Sequence, residues 1–541
     1  MFDFGFKYCY KYCHRLYKQI KNIYKIKTHI DIIYNNFDKI NINQIEKFES
    51  LKQIIFSCGS LYIKFFQWYI SKIKSNIIDT EPDTDTEKEK DTEKDTEKEK
   101  DTEKDTEKDT EKAKKLKNVK KYNLIKFIKY FEDIFEQCPY HDIEHTKKIF
   151  YDSMNGISLD NYVDMTTFKS IASGSIGQVY YAKRLQDNIE IAIKVKHPNI
   201  SEDLDNQYEI INFIKLIQKI PFLRNYYNIY YNIDDFLLDI NLQCDFNNEA
   251  NNCKLFQENF KDSSNYIVFP KILYQSNDLL ISEYIGGESF EELSDMQKYK
   301  TSINFVCFFY QMLLVDNFLH GDLHCKNWKV RKNKENDNIQ IIVYDCGICF
   351  QNTSLQLTND FWFSLVNYDM ESLIKTVLKF VNETTNNNNI NMKKLSEDIN
   401  IFFNIVLKES MSTSVLIKLI IGFFRSNNII VHKFLLNTSI LLCVIEEFLK
   451  ENNIINKDKD RDLKRISMFE IINDSQLDII AFCDVKKCYP KVRNLFTSDM
   501  NNKYLNYKSN IKKNNIKEMT NNDNKLFSSL SLSTLKFRPP Q

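Results

Sequence analysis

The sequence predicts an α+β chain in which a small β-rich lobe is followed, after a glycine hinge, by a larger and mostly helical lobe. Three observations predict it. Short apolar-alternating segments bounded by polar turns (Val179–Ala182, Ile189–Val195, Leu279–Tyr284) have the pattern of half-buried strands. The last of them ends at Gly286-Gly287, a break that neither helix nor strand favours. Beyond that pair, apart from one hairpin pattern, apolar residues recur at helical spacing to about residue 495.

Each element follows from its own residues. Residues 1–78 read as a helical extension, with Phe48, Leu51, Ile54, Ile55 and Cys58 along one face. Residues 79–115 hold a near-perfect Asp-Thr-Glu-Lys repeat from Asp83 to Lys112; with nothing apolar to bury, it reads as a solvated spacer without chemistry. Helical patterning resumes over 116–165 through Leu124, Phe127, Ile128, Phe131, Ile134 and Phe135. The β-rich lobe, 166–285, starts with a strand at Phe168–Ile171 and turns at Gln186–Asn188, with helical segments over 203–219 and 240–260. In the lobe spanning 286–495, an apolar helix over 297–319 runs into a loop. A hairpin follows (Trp328–Val330, then Ile339–Tyr344), and helices follow residue 352. The stretch 496–541 is polar and reads as loosely ordered.

Composition narrows the classes. The 541 residues carry 74 basic and 74 acidic side chains, so no overall charge draws the chain to nucleic acid. Thirteen cysteines lack the spacing of a disulfide framework, which points to free thiols in a reducing, intracellular compartment. Cys346-Gly347-Ile348-Cys349 is read as part of another motif, and Cys9 and Cys13 have no second pair for zinc. No signal peptide and no transmembrane segment of ~20 apolar residues is expected. Lys7, Lys11, Arg15, Lys18, Lys21, Lys25 and Lys27 alternate with aromatics, with no acid between Asp3 and Asp31. That start reads either as a helix for peripheral contact with a membrane surface or a transit-like segment, or as a basic helix packed on the rest. A cytoplasmic and an organelle-membrane location both stay open.

Chemistry-bearing residues fall in a definite order. With only 10 glycines in the chain, a turn holding two is informative. Ile171, Ala172, Ser173, Gly174, Ser175, Ile176, Gly177, Gln178 and Val179 form a small-residue turn between two strands, where backbone N–H groups can approach phosphate oxygens. The next strand ends in Ala192-Ile193-Lys194, the form kinases use for their phosphate lysine. Glu249 is the candidate to orient that lysine; Asp245, four positions earlier, is expected on the same helix face, and a solvent-facing pair is the alternative. In His320-Gly321-Asp322-Leu323-His324-Cys325-Lys326-Asn327, Asp322 is the candidate to accept or orient the substrate proton. Asn327 and Asp345 are candidates for Mg²⁺, a hard ion that prefers oxygen ligands. The Asp-then-Asn spacing explains this loop better than a His320, Asp322, His324 metal triad. Glu283 and Tyr284, at the strand end before the hinge, are expected to meet the nucleotide.

Taken together these residues resemble the UbiB (ADCK) family of atypical protein-kinase-like proteins, from about Gly59 to about residue 450. Lys64-Phe65-Phe66-Gln67 is similar to the family's Lys-x-Gly-Gln helix, with Phe66 where Gly is usual. Ala172–Val179 resembles its Ala-rich loop, with Gly174 in place of Ala. Gln243-Cys244-Asp245 resembles its Glu-x-Asp motif without the first carboxylate, and Asp345-Cys346-Gly347 stands for Asp-Phe-Gly. The resemblance implies a two-lobed protein-kinase-like fold binding ATP (or ADP) and Mg²⁺ between its lobes. It implies regulatory roles for Lys64, Gln67, Gln243 and Asp245, with the Lys64–Gln67 helix restricting access of protein substrates, and a link to isoprenoid-quinone or lipid metabolism. The expected activity is phosphoryl transfer or hydrolysis, with Asp322, Lys194 and Glu249 at its centre and a lipid-like small molecule or a protein as the unknown acceptor. The alternatives are a nucleotide-dependent switch or scaffold and a small-molecule kinase of the choline or aminoglycoside type.

Overall fold

The computed structural model describes residues 2–34, most of 44–70, most of 122–200, most of 238–384, and residues 393, 395–401, 438 and 441. The expectations for the repeat, the 203–219 helix, the helices past 402, the polar tail, His324 and Cys325 lie outside the described residues. Contacts divide the chain into two compact units: unit 1 (1–146, 170–179, 196–219) and unit 2 (147–169, 180–195, 220–541). The expected lobe boundary at 285/286 falls inside unit 2.

Unit 1 is built on helix α1 (Phe2–Tyr34), α2 (Gln44–Cys58) and helical residues within 60–70 and at 122–131. Gly59, at φ 103°, ends α2 and redirects the chain, a backbone angle that glycine adopts freely. The core is aromatic. Phe131 and Phe127 are fully buried, with ring centroids 4.7 Å apart. Phe48 and Phe66 pack on them at 5.3 Å from Phe127 and 5.0 Å from Phe131. Phe66, which stands where the family's glycine is usual, is therefore a core residue, 3% exposed.

Unit 2 carries α3 (Ile143–Ser153), whose first four residues belong to unit 1, and most of a five-stranded sheet. Its strands are β1 (Val163–Ser173), β2 (Gly177–Arg184), β3 (Glu190–Lys196), β5 (Ile272–Gln275) and β6 (Leu279–Glu283), ordered β1-β2-β3-β6-β5. β3 and β6 run antiparallel, pairing Lys194 with Leu280. Strand alternation sends Ile191, Ile193 and Val195 into a core with Phe150, Tyr180, Leu279 and Ile281, and leaves Lys194 on the opposite face. Helix α4 (Phe246–Asn259) contacts β5 and β6. A three-stranded sheet orders β4 (Ile267–Val268), β9 (Ile339–Val343) and β8 (Trp328–Lys332). A two-stranded ribbon pairs β10 (Cys349–Gln351) with β7 (Phe318–His320). Unit 2 also holds the helices α5 (Asp295–Tyr310), α6 (Leu355–Val366) and α7 (Met370–Thr384).

Three expectations about elements are corrected. The helical reading to 165 stops at Ser153, because Asn155 and Gly156 take positive φ, and strand β1 starts at Val163. The 297–319 helix stops at Tyr310. A π-type turn, Gln311–Val315, follows it, Asn317 takes φ 50°, and the chain straightens into β7; asparagine tolerates that backbone better than most residues. The 240–260 helix is broken at Asp245, which is extended and caps α4 by accepting from the Asn247 N–H at 3.0 Å. Asp245 and Glu249 therefore do not share a continuous helix face.

Truncating Phe131 to Ala leaves a ring-sized void in the aromatic core, and the expected loss is about 3–5 kcal/mol. A denaturant midpoint close to wild type would show that this core does not hold unit 1 together.

Candidate functional site

The centre of the site is an amine between two carboxylates, all in unit 2. Lys194 Nζ lies 2.8 and 2.7 Å from the two Glu249 oxygens and 3.0 Å from Asp345 Oδ2. Its side chain is 18% exposed and that of Glu249 is 4% exposed. The Phe246 ring faces the amine at 5.2 Å, within cation–π range. Burial opposes the charge on Lys194, but the Asp345 and Glu249 carboxylates outweigh it and hold its pKa above the ordinary lysine range. The residue is a fixed cation, suited to a phosphate and unsuited to proton transfer near neutrality. Glu249 sits in the first turn of α4, where the helix dipole favours an anion.

Asp322 and Asp345 are joined through His320, which is fully buried. The Asp322 N–H donates to His320 Nδ1 at 3.1 Å. Nδ1 must then be bare, so Nε2 carries the proton and donates to the Asp345 carbonyl. Asn327 donates from Nδ2 to the Asp322 carbonyl at 2.8 Å, which leaves its Oδ1 at the other end of the amide. Hairpin register pairs Trp328 with Val343, and the Tyr344 N–H donates to the Asn327 carbonyl at 3.0 Å. Asn327 and Asp345 thus emerge from neighbouring ladder positions. Asp345 Oδ1 accepts from the Gly347 N–H at 2.8 Å.

This donor set fits Mg²⁺. That ion commonly takes one or two protein oxygens and completes its shell with phosphate and water. Among the described residues no cluster of three His, Cys, Asp or Glu could hold a metal without such help. The Cys346 thiol is buried beside Cys253, and the hydrogen bond between them, then burial, raise its pKa well above normal. Burial likewise raises that of Cys349. Both sulfurs are thereby poor nucleophiles.

The remaining predicted residues are placed as follows. Gln243 is buried and its Cγ lies beside Gly347, within 3.7 Å of where a Cβ would stand. The Glu283 and Tyr284 N–H groups already donate to the Lys271 and Glu190 carbonyls, at 2.8 and 2.9 Å. Neither backbone donor is left to meet a base. The Ala172–Gln178 turn belongs to unit 1 and closes on itself through Gly174 N–H to the Gly177 carbonyl, 3.0 Å. Ile171 is exposed, while Gln178 is buried, accepting from the His141 N–H at 2.9 Å and donating to Ser170 Oγ at 3.2 Å. Also in unit 1, Gln67 is buried and donates to the Ile134 carbonyl at 2.9 Å, and Lys64 is half-buried.

Sequence reasoning missed three residues. His320 was visible in its motif, but its link to Asp345 depends on β7 and β10 pairing His320 with Cys349. Phe246 was legible only as an apolar residue next to Asp245. Asn252, donating to the Cys346 carbonyl at 2.9 Å, carried no signal among so many asparagines.

A fold with a β-rich and a helical part, and a strand lysine held by a helix glutamate and by the aspartate that precedes Cys346-Gly347, defines a two-lobed protein-kinase-like protein of mixed α+β class. More specifically, residues 133–377 match the family model of the ABC1 atypical kinase-like domain. Similar proteins include a probable serine/threonine-protein kinase, abkC, of Dictyostelium discoideum, 30% identical over 40% of this chain and 32% of its own length. An ABC1 family protein of Saccharomyces cerevisiae, named as mitochondrial, is 30% identical over 36% of this chain and 33% of its own. A probable protein kinase UbiB of Aliivibrio fischeri is 31% identical over 36% and 37%. The chain spans about a third of the length of these relatives.

Two substitutions test the geometry. A Cβ on Gly321 would stand 2.6 Å from Ile348 Cγ2, so Gly321→Ala is expected to cost about 1–3 kcal/mol and Ile348→Ala to recover most of it. A double-mutant cycle without coupling would reject this contact. Glu249→Ala leaves buried Lys194 with Asp345 alone and is expected to lower stability by about 3 kcal/mol; an unchanged melting temperature would contradict the ion pair.

Proposed function

We propose that this chain is an atypical kinase or ATPase of the UbiB type that binds Mg²⁺–ATP (or ADP) at the Lys194–Glu249–Asp345 centre and transfers or hydrolyses phosphate. The observation that carries the reading is the Lys194 amine gripped by Glu249 and Asp345 at 2.7–3.0 Å. Phosphoryl transfer needs little covalent chemistry from the protein and depends on positioning and charge. In this reading Lys194 neutralises phosphate oxygens, and Glu249 fixes its position. Asn327 and Asp345 hold the magnesium ion, whose chemistry is to neutralise charge on the transferring group. Asp322, oriented through His320 and Asn327, accepts or aligns the proton of the attacking hydroxyl. In unit 1 the Ala172–Gly177 turn has small residues whose backbone N–H groups suit phosphate, and in unit 2 Tyr284 and the Glu283 strand end contact the base through side chains or carbonyls.

Further parts of the proposal rest on the family resemblance. Lys64, Gln67, Gln243 and Asp245 regulate access, and the acceptor is a lipid-like molecule or a protein, with a link to isoprenoid-quinone or lipid metabolism. One relative's name includes "mitochondrial", which supports work at an organelle membrane. Among the described residues no helix is long and apolar enough to cross a bilayer. On α1, Tyr17, Ile20 and Tyr24 are 63%, 44% and 69% exposed, with lysines 18, 21 and 25 interleaved, which supports peripheral contact with an anionic surface.

ATP turnover by wild type and by Asp322→Asn tests the assignment. Loss of a positioned base is expected to lower the rate about a hundredfold or more. Equal rates in the two proteins would remove Asp322 from the chemistry. Mg²⁺–ATP at a hundred times Kd is expected to stabilise the fold by about 2.7 kcal/mol; that shift without any turnover would favour a nucleotide-dependent switch.

A further inference from the structure

Three histidines meet in unit 1, outside the site described above. His141 precedes α3, His145 lies in its first turn, and His197 follows β3. His141 Nδ1 is 2.7 Å from His197 Nδ1, and the two rings meet edge to face at 4.8 Å. The His145 ring lies 4.8 Å from that of His141. Three further ring nitrogens have partners. His197 Nε2 is 3.0 Å from the Gly174 carbonyl, His141 Nε2 is 2.8 Å from Thr146 Oγ1, and His145 Nε2 is 3.0 Å from the Lys196 carbonyl.

These contacts decide where the protons sit. A carbonyl only accepts, so His197 Nε2 and His145 Nε2 each carry hydrogen. A neutral His197 then has a bare Nδ1. The short contact to that nitrogen requires His141 to donate from Nδ1, which leaves His141 Nε2 to accept from the Thr146 hydroxyl. The result is a one-way chain from Thr146 through His141 and His197 to the carbonyl of Gly174.

His197 holds the turn at two points. Its ring donates to the Gly174 carbonyl, and its backbone N–H donates to the Ile176 carbonyl at 2.9 Å. None of the described peptides is cis, and a trans peptide directs its N–H opposite to its C=O. Drawing the Gly174 and Ile176 carbonyls toward His197 therefore turns the N–H groups of Ser175 and Gly177 the other way. Backbone N–H groups of a short turn aimed the same way give an anion donors to approach.

We propose that His197, wired to His141, is the positioning residue of the phosphate turn, and that the neutral imidazole pair makes its hold on the turn proton-sensitive. This deepens the nucleotide-binding reading and rests on it for the role of the turn. The groups facing the pair are His145, Asp142, Thr146, Ser173 and the Lys196 backbone. Burial, then His197 and His145, push His141 down to about 4, against the pull of Asp142. Burial also lowers His197. The folded pair thus favours the neutral form, and a loosened chain binds more protons between the ordinary histidine value of 6.5 and about 4. The hold is complete above that window and weakens as pH falls through it.

Two readouts on the full chain test this: hydrogen–deuterium exchange of residues 171–178, corrected for intrinsic rates, and Mg²⁺–ATP affinity. Each is measured above pH 6.5 and at about pH 5. The wild type is expected to lose protection of the turn, and affinity, by about tenfold on acidification. His197→Ala is expected to lose both at either pH. His197→Gln keeps an N–H donor at the same reach but cannot titrate, so it is expected to restore both above pH 6.5 and to remove the pH dependence; it carries the test if the alanine variant fails to fold. Unchanged exchange in His197→Ala, a wild-type pH profile in His197→Gln, or stoichiometric zinc binding abolished by His141→Ala would each overturn the proposal. Exchange that responds as expected while no variant binds Mg²⁺–ATP would uphold the latch and reject the nucleotide reading.

Discussion

A single charged group organises unit 2. The Lys194 ammonium is largely buried, and a lone cation there would cost several kcal/mol. Two carboxylates meet that demand, and they come from positions far apart in the chain: Glu249 from α4 and Asp345 from the end of β9. Strand β3, helix α4 and the β8–β9 hairpin must therefore all be in place before the charge is satisfied. The same requirement draws Asp322 and Asn327 into range, because both are tied by hydrogen bonds to the segment that carries Asp345.

The neighbours of that triad are arranged so that little can move independently. His320 ties the Asp322 backbone to the Asp345 backbone, and Asn252 on α4 reaches the carbonyl of Cys346. The Tyr344 hydroxyl donates to the Ile285 carbonyl at 2.8 Å, joining the Asp345 segment to the strand end before the hinge glycines. Gly321 lets β7 approach Ile348 more closely than any side chain would permit. Rigid backbone links of this kind hold side chains within narrow positional tolerances.

Unit 1 follows a different rule. Its aromatic core is packed through Phe48, Phe66, Phe127 and Phe131, and two of its buried glutamines find partners within the unit. Gln67 serves the Ile134 carbonyl, and Gln178 serves the His141 N–H. The Ala172–Gln178 turn belongs to this unit, where His197 donates to the Gly174 and Ile176 carbonyls.

By itself the sequence marked strands β1, β2, β3 and β6, the β8–β9 hairpin, the strand lysine, the Asp322–Asn327 spacing and the Asp345-Cys346-Gly347 segment. Those features are local: alternation, turn residues and short motifs depend on neighbours in the chain. Only the tertiary structure decided who touches whom. It broke the 240–260 helix at Asp245, so that Asp245 became a cap while Glu249 turned to Lys194. It engaged the Glu283 and Tyr284 N–H groups within the sheet, and it gave His320 two backbone partners, the Asp322 N–H and the Asp345 carbonyl. It also made a core residue of Phe66, which the chain alone marked only as a departure from a motif. The reason is physical. Burial, register and hydrogen-bond satisfaction are set by segments far apart in sequence, and a buried charge or a carbonyl takes whichever partner the fold brings within reach.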